Sequence, residues 1–207
     1  MKKYPSIPSS MGQKFIEIHG AHIFDKIDGS SLRSEYTSKR GWIKHGRRNG
    51  LLDDSNIHLI KAQDLFMNTL AEPLAKIAHD YKIKHLIVFY EFAGPNSFAG
   101  NHDFNDEKTL TLFDAALNKG GLLDPVSFRN LFEDKVLTPK YLGQYNWTRD
   151  FVEQVRLNQI DGITFEGVVG KAGNKHTLIR AKAKTQMWID KVYEKFDPAR
   201  SRAILNS

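Results

Sequence analysis

Short stretches rich in β-branched and aromatic residues recur along the chain, and they constrain its fold more than any other feature. Such stretches are typical of strands. They are FIEI (15–18), AHIFDKI (21–27), LIVFYEF (86–92), TLTLFDA (109–115), GITFEGVVG (162–170) and TLIRAKA (177–183). Helical patterns lie between some of them without strict alternation. We therefore predict an α+β fold with largely antiparallel sheets, and not a doubly wound parallel sheet.

Three segments carry helix signals. Apolar residues repeat at spacings of three and four over residues 66–81, where Pro73 is expected to kink or split the helix. Aspartate followed by proline at 124–125 is typical of an N-cap and a first helical residue, which predicts a helix to about residue 132. A last amphipathic helix is predicted to begin near Thr185.

The composition is that of an ordinary globular protein. Hydrophobic residues make up 41% of the chain and charged residues 26%, which excludes disorder for most of it. No repeat or low-complexity linker marks a boundary, so residues 1–207 are predicted to form a single domain. The absence of cysteine excludes a disulfide framework and a thiol nucleophile. Without a signal sequence or an apolar spanning segment, we expect a cytoplasmic protein with no membrane partner.

Positive charge is concentrated in two windows of the sequence. The formal net charge is +6, and residues 39–48 and 170–184 each hold five basic side chains and no acidic one. The rest of the chain carries 20 basic against 24 acidic residues, so the excess is local. Focused positive charge suits nucleic acid or polyphosphate. The alternative is two solvated basic surfaces with no partner.

The first candidate for chemistry is a lysine at the end of an apolar stretch. Lys26 is followed closely by Asp28 and Gly29. A lysine amine becomes a nucleophile when it is uncharged, and a neighbouring carboxylate can help to place it or a metal ion. A glycine lets a phosphate approach the backbone closely. The alternative for this segment is a plain surface turn.

Two carboxylates fall inside apolar stretches. Glu91 and Glu166 each lie among hydrophobic residues of a predicted strand, and each is followed by glycine within three residues. A buried glutamate is costly unless it is paired. Together with Asp28 the two glutamates could share a hydrated divalent cation, which prefers oxygen ligands. The alternative is a glutamate on the solvated face of an edge strand.

Three cations alternate with alanines near the end of the chain. Arg180, Lys182 and Lys184 repeat with a period of two, which places them on one face of a strand. An anion bound over this row would offset the repulsion, and the row would lower the pKa of a nearby lysine. The alternative is a solvent-facing edge strand on which lysines prevent aggregation.

The order and spacing of these motifs resemble those of the covalent nucleotidyltransferases, which are ATP-dependent RNA and DNA ligases and mRNA capping enzymes. The matching segments are KIDGSS (26–31), SKRG (38–41), FYEFAG (89–94), TLFDA (111–115), FEGVV (165–169) and AKAK (181–184). KIDGSS looks most like the RNA ligases of the phage and editing-ligase type. The resemblance implies two packed, mainly antiparallel sheets flanked by helices, a nucleotidyltransferase or ATP-grasp-like ligase fold, with ATP bound between the sheets. Only 23 residues follow Lys184, so no C-terminal OB domain is expected.

The resemblance also implies a role for each matching residue. Lys26 would attack the α-phosphate of ATP and hold AMP, Glu91 would contact the ribose, and Phe113 would stack on the adenine. The residues expected to contact ATP or AMP are Asp25, Lys26, Ile27, Ser31, Arg33, Arg40, Glu91, Phe113, Glu166, Lys182 and Lys184. The residues expected to hold Mg²⁺ or Mn²⁺ through water are Asp28, Glu91 and Glu166. The residues expected to contact nucleic acid are Lys39, Arg40, Arg47 and Arg48.

We therefore predict an ATP-dependent RNA ligase that joins 3′-hydroxyl and 5′-phosphate ends through a lysyl-AMP intermediate, as in phage-like RNA repair. DNA nicks and RNA/DNA hybrid nicks are alternative substrates, and a virus is an alternative source. An accessory protein would supply further nucleic-acid binding. The enzymatic alternatives are a nick-sealing DNA ligase and a capping-type guanylyltransferase. The non-enzymatic alternative is an RNA-binding module that uses the two basic windows with Trp42 as a stacking surface.

Overall fold

The computed structural model describes residues 1–10, 15–52, 57–103, 105–117, 120–174 and 177–205, and for residues 57–60 it describes the backbone alone. The chain divides into two compact units. Unit 1 comprises Met1–Tyr4 and Gly29–Thr138, and unit 2 comprises Pro5–Asp28 and Pro139–Ser207. Because compact units can belong to one domain, the single domain over residues 1–207 stays a prediction.

The secondary structure of the described residues mixes strands and helices without strict alternation. In chain order the elements are β1 (Ile18–Lys26), β2 (Ser30–Thr37), β3 (Gly41–Arg47), α1 (Ile57–Thr69), α2 (Ala71–Asp80), β4 (His85–Ala93), β5 (Thr109–Leu117), β6 (Gly121–Leu122), α3 (Pro125–Phe132), β7 (Tyr141–Trp147), α4 (Arg149–Arg156), β8 (Gly167–Ala172), β9 (Ile179–Lys184), α5 (Gln186–Lys195) and α6 (Pro198–Leu205). Among the described residues, no helix has both the length and the apolar character needed to cross a bilayer.

Unit 1 is built on a five-stranded antiparallel sheet with the strand order β3-β2-β4-β5-β6. Alternate residues of its strands, among them Leu32, Val88 and Tyr90, point to one face and are fully buried. Helices α1, α2 and α3 cover this face, and Phe66 and Phe128 belong to the same core. The opposite face is left for the polar residues of β2, β4 and β5, because side chains alternate along a strand.

Unit 2 is built on a four-stranded antiparallel sheet with the strand order β7-β1-β8-β9. One face packs against α4, where Phe151 and Val155 contact a core that includes Ile23, Val168 and Ala183. The residues that alternate with this core face the other way, and they include the predicted nucleophile and the lysine row. The two antiparallel sheets with flanking helices confirm the predicted α+β class.

The predicted helix over residues 66–81 is split, but the break lies at Leu70 between α1 and α2. Pro73 lies in the first turn of α2, where a residue without an N–H costs no helical hydrogen bond. Two helix starts are confirmed. Asp124 caps α3 by accepting from the N–H of Ser127 at 2.9 Å, and Thr185 caps α5.

Two predicted strands were wrong in extent. Of residues 15–18 only Ile18 belongs to a strand, and of residues 162–170 the strand begins at Gly167. Glu166 therefore precedes β8 and does not lie inside it. Between the antiparallel strands β8 and β9, Gly173 has φ +83°, the conformation that favours glycine.

Trp42 is partly buried and packs against the core of unit 1. Its indole N–H donates to the carbonyl oxygen of Ala71 at 2.9 Å, and its ring meets Phe66 edge to face with centroids 4.8 Å apart. Part of the Trp42 side chain stays accessible, so its role as the stacking surface of an RNA-binding module stays a prediction.

A half-buried histidine makes the stability of unit 1 sensitive to pH. The Nδ1 atom of His45 lies 2.8 Å from the hydroxyl of Ser34, which is 2.9 Å from that of Tyr90, and burial lowers the pKa of His45. Since the unfolded chain takes up this proton near pH ~6.5 and the folded chain only at lower pH, stability falls as pH drops below ~6.5. We expect urea midpoints at pH 7.5 and 5.5 to differ less in His45→Gln than in the natural chain. A difference in midpoints that is unchanged in His45→Gln would contradict this role. The same measurement on His102→Gln gives a comparison, because burial also lowers the pKa of His102.

Candidate active site

Strand register in unit 2 aligns Lys26, Gly167 and Lys184 side by side across three strands. Lys26 pairs with Gly167 on β8, and Gly167 pairs with Lys184 on β9. Cross-strand partners present their side chains on one face. Gly167 has φ +143°, and a Cβ atom there would lie 2.1 Å from the carbonyl oxygen of Ala183. The middle of the row therefore requires glycine, and no side chain stands between the two lysines at this position.

The carboxylate of Glu166 is shared by the two lysines of this row. Its Oε2 lies 2.7 Å from the Nζ of Lys26, and its Oε1 lies 3.6 Å from the Nζ of Lys184. The Lys26 side chain keeps 24% of its surface exposed, whereas those of Glu166 and Lys184 keep only 5% and 4%. Lys26 is thus the member of the trio that a solute can reach most easily.

Hydrogen bonds fix the segment that carries Glu166. The buried carboxylate of Asp25 accepts from the backbone N–H of Thr164 at 2.9 Å and from its hydroxyl. After the glutamate, the N–H of Thr185 donates to the carbonyl oxygen of Glu166 at 3.0 Å, and the Thr185 hydroxyl donates to that of Phe165 at 2.6 Å. The segment is therefore tied to β1 on one side and to the start of α5 on the other.

Replacing Asp25 by alanine should loosen this segment. Asp25 is 3% exposed, so its removal leaves two donors of Thr164 without their acceptor. We expect a loss of about 1–3 kcal/mol in the free energy of unfolding. Urea unfolding of Asp25→Ala, Thr164→Val and the double variant checks this, since partners in contact give non-additive losses. Additive losses would show that the two residues act independently.

Lys184 is held in a buried setting. Its Nζ lies 3.9 Å from the centroid of the Trp188 ring and donates to the carbonyl oxygen of Ile204 at 3.3 Å. Burial lowers the pKa of Lys184, the charge of Glu166 opposes that effect, and the charge of Lys26 adds to it. The indole N–H of Trp188 in turn donates to Asp28 at 2.6 Å. Asp28 and Lys184 thus meet the same tryptophan.

Lys182 is also buried, with 5% exposure. Strand β9 is the last of its sheet, but the backbone of residues 8–10 runs along it: the N–H of Lys182 donates to Pro8 at 3.2 Å, and the N–H of Ser10 donates to Lys182 at 3.0 Å. The alternative of a solvent-facing edge protected by lysines was therefore wrong. Arg180 has a half-buried side chain on the same face of β9.

The candidate residues of unit 1 lie on the sheet face opposite its helices. Ser31 pairs with Glu91, and Glu91 pairs with Thr111 on the next strand. Arg33, two residues beyond Ser31 on the same face, is 4% exposed and donates to the carbonyl oxygens of Arg48 and Gly50 at 3.3 and 3.4 Å. Its guanidinium therefore supports the end of β3.

Phe113 lies at a β-bulge of β5 and belongs to an aromatic group on this face. The ring of Tyr4 meets Phe113 edge to face at 5.1 Å and lies 5.0 Å from Phe89, and its hydroxyl donates to Asp114 at 2.9 Å. No motif or periodicity in the sequence marks Tyr4, because it lies in a short segment before the first strand. It is the neighbour of Phe113 that sequence reasoning missed.

Gly29 is needed by the fold of unit 1 itself. A Cβ atom at Gly29 would lie 2.4 Å from the carbonyl oxygen of Phe92. The next residue, Ser30, has its hydroxyl 2.8 Å from Nε2 of His102, whose Nδ1 lies 2.8 Å from the hydroxyl of Ser97. This close packing explains the glycine without any phosphate.

The remaining candidates are surface cations and possible metal ligands. Lys39, Arg40, Arg47 and Arg48 are all exposed around the β2–β3 hairpin. Within the described residues of either unit, no three histidine, aspartate or glutamate side chains cluster closely enough to hold a metal ion by themselves. The predicted metal ligands of unit 2 are Asp28, which accepts from Trp188, and Glu166, which contacts Lys26 and Lys184.

Comparison with solved structures places this architecture among known folds. An archaeal ATP-dependent RNA ligase aligns with a TM-score of 0.68 and 16% identity, over 99% of this chain and 56% of that one. The chain has the fold of the ATP-dependent RNA ligases. A mutant Naegleria gruberi RNA ligase with ATP and Mn aligns with a TM-score of 0.59 and 17% identity, over 84% of this chain and 52% of that one.

This RNA-ligase fold also matches the Naegleria gruberi RNA ligase with PPi, at a TM-score of 0.58 and 18% identity, over 86% of this chain and 52% of that one. The chain thus spans about half the length of these solved ligases. No family model matches the sequence, and no curated protein matches it either. The predicted fold class is confirmed by these likenesses.

Proposed function

We propose that this chain is the adenylyltransferase domain of an ATP-dependent RNA ligase, in which Lys26 accepts AMP from ATP. The observation that carries the proposal is the trio of Lys26, Glu166 and Lys184 in the RNA-ligase fold, with the accessible amine 2.7 Å from a buried carboxylate. Solved proteins of this fold include one with ATP and Mn and one with PPi. ATP and pyrophosphate are the substrate and product that such a step requires.

In the first step the Lys26 amine attacks the α-phosphorus of ATP. An amine must be uncharged to attack, and the Glu166 carboxylate is within hydrogen-bonding distance to take its proton. A phosphorus–nitrogen bond forms, the bond from the α-phosphorus to the bridging oxygen breaks, and pyrophosphate leaves with that electron pair. Lys26 then carries AMP as a phosphoramidate.

The positive row of β9 supports the charge that develops during this transfer. Phosphoryl transfer depends mainly on positioning and on stabilising negative charge at the phosphate oxygens. Lys182 and Lys184 are buried, and fixed charges act more strongly away from water than in it. We assign these two lysines to the α-phosphate. Asp25 has a structural role, because it accepts hydrogen bonds from Thr164 in the segment that carries Glu166.

Two carboxylates of unit 2, those of Asp28 and Glu166, have the oxygen donors that a divalent cation bound together with ATP requires. Magnesium and manganese prefer oxygen ligands, and one or two carboxylates with substrate phosphates commonly suffice. Asp28 and Glu166 supply such oxygens. The ion, when bound, neutralises phosphate charge. The roles of Glu91 toward the ribose and of Phe113 toward the adenine, which the resemblance implies, stay predictions.

Two later steps would complete RNA joining. AMP passes from Lys26 to the 5′-phosphate of an RNA end, where a phosphorus–oxygen bond replaces the phosphorus–nitrogen bond. A 3′-hydroxyl then attacks the activated phosphate, loses its proton, and releases AMP. Because the chain spans about half of the solved ligases, the joining step is proposed on their likeness alone.

The test is incubation with ATP labelled at the α-phosphate, in the presence of magnesium or manganese, followed by a denaturing gel. We expect a labelled protein band with ATP and none with labelled GTP. A band with GTP alone would favour a capping-type guanylyltransferase, and no band with either would contradict the proposal. Chasing the label onto 5′-phosphorylated RNA or DNA then distinguishes an RNA ligase from a DNA ligase.

A further inference from the structure

Two turns with exposed cations meet at one end of the sheet of unit 1. The β2–β3 turn carries Lys39 and Arg40, and the connection from α2 to β4 carries Lys82 and Lys84. All four side chains are exposed. The sequence places the two pairs more than 40 residues apart, so no charge window joins them.

Backbone geometry brings these turns into contact. The N–H of Ser38 donates to the carbonyl oxygen of Lys84 at 3.0 Å, and Thr37 pairs with His85 on the neighbouring strand. The N–H of Arg40 donates to Thr37 at 3.2 Å and closes the first turn. Four cations are therefore presented by adjoining turns, and we call this surface the basic end.

Few acids offset the basic end. Residues 36–52 and 81–90 contain no aspartate or glutamate. The nearest acid along the chain, Asp80, is paired with Lys76 at 2.9 Å. One acid of this neighbourhood, Asp134, is exposed, and it directly precedes the exposed Lys135.

An exposed aromatic ring adjoins the cations. Tyr81 directly precedes Lys82 and keeps 55% of its surface exposed. The Nζ of Lys135 lies 5.4 Å from the centroid of its ring, which adds a fifth cation to this end. Cations that follow a phosphate backbone, together with an aromatic ring for an unpaired base, are the features of a surface for single-stranded nucleic acid.

We propose that the basic end is a binding surface for single-stranded RNA, and this inference rests on the proposed function for its choice of RNA. It lies at the opposite end of β2 from Ser31, about 20 Å away along the strand at ~3.3 Å per residue. The surface would therefore hold a part of the RNA several nucleotides away from the Ser31–Glu91 end. Tyr81, Lys82, Lys84 and Lys135 are the new members, because only Lys39 and Arg40 of this surface were predicted from the sequence to contact nucleic acid.

The test compares Lys82→Gln/Lys84→Gln with Lys61→Gln/Lys195→Gln, which removes two exposed charges elsewhere. Binding of a labelled 5′-phosphorylated oligoribonucleotide is measured over a range of salt concentrations. Loss of two phosphate contacts should reduce the slope of log K against log salt by about 1.5 in the first variant and leave it unchanged in the second. Tyr81→Ala should weaken binding without changing the slope, since stacking releases no counterions.

Equal slopes in the two double variants would overturn the proposal. So would displacement of the RNA by polyglutamate at equal charge concentration, because that would show a surface for any polyanion. Labelling by ATP is measured on the same samples and should be unchanged, since neither Lys82 nor Lys84 is assigned to that step. A natural chain that binds RNA through these lysines but gives no ATP-labelled band would refute the proposed function and leave the basic end standing.

Discussion

Replacing Lys26 by alanine is expected to abolish the ATP-labelled band completely, because no other group takes the place of the nucleophile at the end of β1. Lys26→Arg should fail as well, since a guanidinium stays protonated at any usable pH. Glu166→Gln keeps the shape of the side chain but removes the proton acceptor, and we expect its labelling rate to fall by about 10²–10⁴-fold. The measurement is the initial rate of labelling on a denaturing gel.

The matched control is Lys195→Ala, which removes an exposed lysine from the last turn of α5. It should label at the natural rate. Thermal unfolding of each variant distinguishes loss of chemistry from loss of fold. The Tm of Lys26→Ala should be close to that of the natural chain, because the ion pair that Lys26 makes is partly exposed. A labelled band in Lys26→Ala would refute its assignment as nucleophile.

Replacing Gly167 by alanine should destabilise the chain strongly. The new methyl group would lie 2.1 Å from the carbonyl oxygen of Ala183 and 2.8 Å from the Cα of Lys184, so backbone atoms must move apart. The φ of +143° adds strain for any residue with a side chain. We expect a loss of about 2–4 kcal/mol in the free energy of unfolding, with labelling by ATP lost because Lys184 shifts.

Gly41→Ala is the matched control for this prediction. Gly41 also has a positive φ, at +67°, but an added Cβ would meet nothing within 4 Å. The free energy of unfolding of Gly41→Ala should therefore fall by only about 1 kcal/mol, which is the cost of this backbone conformation for a residue with a side chain. Urea unfolding of both variants checks the difference, and equal losses would show that the close contact at Gly167 does not matter.

Local sequence patterns predicted much of this fold because the governing forces are local. Stretches rich in β-branched and aromatic residues predicted the strands, and the Asp-Pro pair predicted the start of α3. The position of Lys26 at the end of a strand followed from the polar residues after it. The same reasoning wrongly placed Glu166 inside a strand. The apolar run around it predicts a continuous strand and gives no sign of the positive φ that Gly167 adopts.

Contacts between distant parts of the chain could not be predicted in this way. The burial of Lys182 depends on the backbone of residues 8–10, and that of Lys184 depends on Trp188 and on the carbonyl of Ile204. The pairing of Trp188 with Asp28 spans 160 residues. Alternation along β9 showed which residues share a face, but only tertiary structure decided that this face is buried.

The interrupted sequence of unit 2 has a consequence for how the chain folds. Strand β1 is made early, yet its partners β7 and β8 follow only after the whole of residues 29–138. During synthesis β1 therefore stays unpaired until unit 1 has been made. The sheet of unit 1 lies wholly within residues 29–138. Such long loop closures slow folding. We therefore expect the contact between Lys26 and Glu166, which spans 140 residues, to form late in folding.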